Sequence, residues 1–133
     1  MNASVPPTLF GAFDRHNFGD LLFPHLLKAL LPGQSFELSG LAARDLGACG
    51  GHRVTTLPAQ LTHLIHAGGE LLTCTAWQAA VMLLDPATAA DVIARYDADP
   101  AARAAWAARQ LGTARTMPYV VGRDALAAGG KLV

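Results

Sequence analysis

The segment TLFGAFDRHNFGD, residues 8–20, runs straight into an apolar stretch over residues 21–31, and this junction constrains the fold more than any other feature of the chain. A short β-prone run gives way at residue 13 to a loop carrying Asp14, Arg15, His16, Asn17, Gly19 and Asp20, and then to a helix. The unpaired N–H groups and partial positive charge of a helix N-terminus favour anions in such a loop. Open α/β sheets bind ligands beyond the carboxyl ends of their strands, so the loop is the first candidate site. Asn17, Gly19 and Asp20 serve equally well as turn and cap residues, since strand–turn–helix units recur throughout α/β folds.

The remaining strands and helices predict one α/β domain over residues 1–133, a parallel sheet of Rossmann-like type flanked by helices. Hydrophobic residues are 52% of the chain and charged residues 15%, which suits strands buried on both faces and excludes a disordered chain. Ten basic and ten acidic residues cancel, so no field gathers nucleic acid or anionic lipid. No apolar run reaches the roughly 18 residues that span a bilayer. The N-terminal MNASVPP lacks the basic and apolar regions of a secretory signal, and the expected location is cytoplasmic. Cys49 and Cys74 show no CxxC spacing and are expected to be free, buried thiols, with neither a metal site nor a cofactor indicated.

Residues 1–7 form an extended lead held by Pro6-Pro7, and residues 8–13 the first strand, where Gly11 allows close approach of a backbone or ligand. The next helix carries Leu22, Leu26, Leu27, Leu30 and Leu31 as its apolar stripe. Either Asp20 caps it and Pro24 ends the first turn, or Pro24 is its first residue; both remain open. Pro32-Gly33 stops it before a second strand over residues 35–38. Residues 41–46 fit one or two helical turns, 47–52 a flexible loop, and 53–57 a short strand.

The run LTHLIHAGGE, residues 61–70, reads as a buried strand opening into a Gly68-Gly69 turn, with a helix over residues 71–84. On a strand His63 and His66 face opposite sides and do not chelate one ion. His66, near the carboxyl end, is the better site candidate, beside a role as a hydrogen-bonded core histidine. Asp85-Pro86 and Asp99-Pro100 each set a capping acid before a proline suited to the first helical position, predicting helices over 86–97 and 100–111, the second closed by Gly112. Arg95, Arg103 and Arg109 then lie on a solvated face. Residues 117–122 return to strand-like composition, 123–126 make a turn or short helix, and Lys131-Leu132-Val133 starts another strand, as expected of a piece of a longer α/β protein.

With both strand-to-loop stretches placed, the sequence resembles the polysaccharide pyruvyl transferase family. Asn17-Phe18-Gly19-Asp20 is similar to the N-x-G-D motif of that family, and Leu64-Ile65-His66-Ala67-Gly68-Gly69-Glu70 sits where members carry a hydrophobic strand and a glycine cluster. The likeness covers the N-terminal half of such a protein. It implies a glycosyltransferase-B-like pair of Rossmann-like domains with the reaction between them, and transfer of a ketal pyruvyl group from phosphoenolpyruvate to a sugar of a polysaccharide or its precursor. This half would then help bind the acceptor, with the donor met largely by a second domain. Two departures stand out: Glu70 replaces a third glycine, and the second domain is not in this chain.

Such a transfer needs a base for the sugar hydroxyl and cations or N–H donors for an anionic donor. Asp20 is the candidate base. Arg15 and His16 would meet an anion, Asn17 and Gly19 would present amide or backbone groups, and Gly68 and Gly69 would let a sugar lie against the backbone. Glu70 is a second base or a helix-start residue favoured by the dipole. The alternative is a non-catalytic Rossmann-like binding or interaction module. Without a G-x-G-x-x-G its ligand would not be a dinucleotide.

Overall fold

In a computed structural model, which describes residues 5–133, the opening segment forms strand β1 (Thr8–Phe10), a compact loop and helix α1 (Phe18–Leu30). The lead expected over residues 1–7 lies in part outside the described residues. β1 ends three residues short of the expected residue 13 because Asp14 folds inward, its carboxylate accepting the Ala42 N–H at 2.8 Å and the Tyr119 hydroxyl at 3.1 Å. Gly11 allows the close approach anticipated for it: a Cβ there would lie 2.2 Å from the Ala67 carbonyl oxygen.

Neither expected start of α1 is correct. Asn17 is the cap, its Oδ1 accepting the Gly19 N–H at 3.0 Å, and Pro24 sits inside the helix, where it has no N–H to offer the Asp20 carbonyl. The apolar stripe is displaced as well. Leu21 and Pro24 are buried and Phe23 and Leu27 half-buried, whereas Leu22, Leu26, Leu30 and Leu31 face solvent. With the earlier start, the i, i+3 row through Leu21, Pro24 and Leu27 meets the sheet, and α1 carries more apolar surface than the sheet covers.

Strand β2 (Glu37–Gly40) follows, two residues later than expected. The helical turns expected over residues 41–46 are instead strand β3 (Arg44–Asp45), which pairs antiparallel with β4 (Arg53–Thr56) through a 3-10 turn at Gly47–Cys49. Buried Leu46 anchors this hairpin: its carbonyl accepts the Cys49 N–H at 2.9 Å and the Gly51 N–H at 3.0 Å. Cys49 is therefore exposed at the turn, contrary to expectation, while Cys74 is buried.

Strand β5 (Leu61–His66) starts where expected and ends before the Gly68-Gly69 turn. The following helix is shorter than anticipated: residues 71–75 form turns, and α2 (Ala76–Met82) starts at a Thr75–Gln78 capping box. α3 (Pro86–Tyr96) and α4 (Pro100–Leu111) begin at Asp85 and Asp99 as predicted, and Gly112, in the left-handed region at φ 64°, ends α4. Residues 117–122 are not a strand; the Val120 N–H turns back to the Met117 carbonyl at 3.1 Å and Tyr119 and Val121 drop into the core. β6 (Leu126–Leu132) starts well before Lys131 and pairs parallel to β5 across a register shift.

The sheet order is β3-β4-β2-β1-β5-β6, all parallel except β3. Neighbouring residues of β1 point to opposite faces. Leu9 packs with Phe13, Phe23 and Leu27 beneath α1; Phe10 packs with Leu64, Ala79 and Tyr119 beneath α2. α2 in turn joins α3 and α4 around Trp77, Tyr96 and Trp106. The protein is thus an α/β fold with helices on both faces of a mostly parallel sheet. No helix of the described residues is long and apolar enough to cross a membrane.

Candidate functional site

From β1 the chain builds outward to one side through β2 and β4 and to the other through β5 and β6, so the topological switch point lies between β1 and β5. The two strands end level, Phe10 opposite His66, and the Ala67 N–H donates to the Phe10 carbonyl at 3.0 Å. The two loops singled out in the sequence therefore leave adjacent strand ends. They meet at Arg15, whose Nη2 is 2.8 Å from Asp20 Oδ2 and 3.6 Å from Glu70 Oε2.

Arg15 is 3% exposed. Its Nε also donates to Asp20 Oδ2 at 2.8 Å, and its Nη1 is directed at the Met82 sulfur. Burial opposes the charge on Arg15, but Asp20 more than offsets it and the guanidinium stays firmly protonated. Asp20, the third residue of α1, is itself buried. Its carboxylate is committed to orienting the arginine. Glu70 is exposed and precedes α2 by a whole turn segment, so it is not the helix-start residue suggested by the sequence.

His16 and Asn17 are exposed at the mouth of a cavity of about 640 Å³, lined also by Arg15, Arg44 and the α2–α3 corner from Met82 to Pro86. Gly19 lies in the first turn of α1 and completes the cap. The N-x-G-D pattern is thereby accounted for locally, as cap, first-turn glycine and partner of Arg15. Gly68 (φ 154°) shapes the turn after β5, and a Cβ there would press on Leu71, whereas Gly69 is exposed with open space around it. Neither lines this cavity.

His66 stands apart from it. Its Nε2 accepts the Val121 N–H at 3.2 Å, its ring packs edge-on to Phe10, and burial lowers its pKa. His63 is exposed near Lys131, in different surroundings. No group of three or more His, Cys, Asp or Glu suited to a metal occurs among the described residues.

Three contributors escaped the sequence, Tyr119, Arg44 and Met82, and Asp14 was placed in the candidate loop without a role. Asp14 and Tyr119 form a buried acid–phenol pair under the loop, and burial raises both pKa values. One signal was available, Gly40, where a Cβ would stand 2.6 Å from Asp14 Oδ2. Arg44 and Met82 arrive from distant elements and left none. No family model, curated protein or solved structure matches the chain.

The imidazoles set a pH dependence. His52 packs tilted against His25 with ring centroids 4.2 Å apart, its Nε2 is buried with no hydrogen-bond partner among the described residues, and burial, with His25 and Lys28 nearby, lowers its pKa, as burial does for His66. A depressed folded-state pKa means that the unfolded chain takes up protons first as pH falls below about 6.5. Stability should therefore fall from pH 7 to pH 5. Asp14 works in the opposite sense, its raised pKa favouring the folded state in acid. Chemical denaturation of the wild type and of the His52→Gln/His66→Gln variant isolates the histidines: the variant should lose less stability over this interval.

Proposed function

We propose that this domain supplies one wall of a pyruvyl-transfer site, in a protein that moves a ketal pyruvyl group from phosphoenolpyruvate to a sugar of a polysaccharide or its precursor. The supporting observation is the meeting of the two motif-bearing loops at the switch point, where Arg15 bridges Asp20 and Glu70. Ketal formation from an enol phosphate protonates the methylene carbon, adds two hydroxyls to the adjoining carbon and releases inorganic phosphate. One hydroxyl proton ends on the new methyl group and the other on phosphate. In this scheme Glu70, carrying an exposed carboxylate beside a guanidinium, takes a hydroxyl proton, and Asp20 is a positioning residue for Arg15. His16 and Asn17 line the approach. A glycosyltransferase-B-like second domain would complete the cleft and hold most of the donor, and the setting would be cytoplasmic assembly of an exopolysaccharide.

Asp20→Asn keeps one acceptor for Arg15 and should keep the fold. In the full-length protein it should lower Tm, because Arg15 keeps its charge without a buried anion, and also lower kcat for phosphate release from phosphoenolpyruvate in the folded fraction, while Glu70→Gln should lower kcat further and leave Tm nearly unchanged. An unchanged kcat in folded Asp20→Asn would assign Asp20 to the fold alone.

One observation favours a second reading, a non-catalytic binding module: the buried carboxylate that contacts Arg15, that of Asp20, is already ion-paired to it. Binding of phosphoenolpyruvate without phosphate release in the presence of acceptor would support that module.

A further inference from the structure

We infer that the cavity between the β1–α1 loop, β3 and the α2–α3 corner is a binding site for a phosphate ester, with Arg15 and Arg44 as its cations and Met82 as a displaceable occupant. The cavity does not include the Gly68-Gly69 turn or Glu70. It deepens the transferase proposal and rests on it for the identity of the ester, but not for the presence of an anion site.

The two guanidiniums differ in how they are held. Asp20 fixes the Nε and Nη2 side of Arg15, with Glu70 3.6 Å from Nη2, while Nη1 meets the Met82 thioether, a weak acceptor for a charged donor. Met82 is unbranched and 45% exposed, so its sulfur is free to leave. Arg44 is half-buried and donates from Nη2 to the Leu83 carbonyl, which aims it into the same space. Among the described residues it has no carboxylate partner. A half-buried arginine without a carboxylate partner among the described residues, beside a buried, ion-paired one whose Nη1 meets a sulfur, is an arrangement that an oxyanion completes.

The opposing charge in the wall is Asp85. Its carboxylate accepts the Ala87 and Thr88 N–H groups at 3.1 and 3.0 Å and the Thr88 hydroxyl at 2.6 Å, and so is committed to the N-terminus of α3. At about 640 Å³ the space exceeds a bare phosphate, and Met82, Leu83, Leu84 and Pro86 offer an apolar wall to the body of a small ester. Phosphoenolpyruvate and the phosphates that join a sugar to its carrier share this chemistry.

Calorimetric titration with inorganic phosphate, phosphoenolpyruvate and a UDP-sugar separates these cases, using wild type, Arg44→Ala, Met82→Leu and, as a surface control outside the cavity, Arg109→Ala. Circular dichroism confirms that each variant is folded. Phosphate should bind the wild type and Arg109→Ala alike, about 10-fold more weakly to Arg44→Ala, and at least as tightly to Met82→Leu. Tighter binding of either ester than of phosphate, again dependent on Arg44, supports the ester assignment and shows which source it is. Phosphate binding that depends on Arg44, with neither ester binding tighter, keeps the anion site and overturns the ester assignment, while the transferase proposal is decided by its own activity test. Equal binding to wild type and Arg44→Ala, or no saturable binding, overturns the site while leaving the transferase proposal to its own activity test.

Discussion

Replacing Arg15 with Met is expected to lower the unfolding free energy by about 3–5 kcal/mol, because it leaves the Asp20 carboxylate buried without its cation. For a chain of this size the thermal midpoint should drop by roughly 10–20 °C. The double replacement Arg15→Met/Asp20→Leu removes the stranded charge and should recover to within about 2 kcal/mol of the wild type, since buried pairs are often replaceable by apolar side chains. Urea denaturation of the single and double variants checks this. A double variant no more stable than Arg15→Met would mean that the loop depends on something other than this pair. Recovery of stability should not bring recovery of anion binding, because the recognising group is gone.

The second large effect concerns the contact between the two loops. At Gly11 an added Cβ would lie 2.2 Å from the carbonyl oxygen of Ala67, a residue whose N–H is bonded to the Phe10 carbonyl at the end of β1, and 2.6 Å from Cζ of Phe13. Neither can yield without moving a strand or the buried phenylalanine. Gly11→Ala should therefore cost about 3 kcal/mol, the upper part of the usual range for overpacking. Gly69→Ala, where nothing stands within 4 Å, should change stability by less than about 0.5 kcal/mol. The same denaturation series reads both, and similar losses at the two glycines would contradict the strand-end packing described above.

What could be read from the sequence follows the range of the interactions involved. α3 and α4 announce themselves through Asp-Pro pairs, and β5 through a strand-like stretch ahead of a Gly68-Gly69 turn, because caps and turns are written in adjacent residues. The loop after β1 was recognised for its residue types and for the helix behind it. The hairpin of β3 with β4 was missed because a two-residue strand has no period to detect; its existence depends on burying Leu46 and pairing Arg44 with Val54. Residues 117–122 carry strand-like side chains but use them to lower Tyr119 onto Asp14, more than a hundred positions away. The stripe on α1 was misplaced because nearly every residue on that helix is apolar, and only the sheet selects which row is covered.

The candidate site shows the same division. Arg15, His16, Asn17, Asp20 and Glu70 lie in two local segments and were found together. Arg44 and Met82 complete the cavity from β3 and the end of α2, and no pattern near either residue marks it. The two segments became one site only through the parallel pairing of β1 with β5.

The central claim, that this domain belongs to a pyruvyl-transfer site, is tested most directly in the cells that make the protein. Their surface polysaccharide can be isolated and its ketal-linked pyruvate measured by proton NMR and after mild acid hydrolysis. The proposal predicts the ketal methyl signal in wild-type polysaccharide and its loss, or a drop of at least about 10-fold, when Glu70→Gln, which removes the proposed acceptor of the hydroxyl proton, is introduced at the native locus with protein levels unchanged. Polysaccharide without the ketal in the wild type, or with equal amounts in both strains, would contradict it.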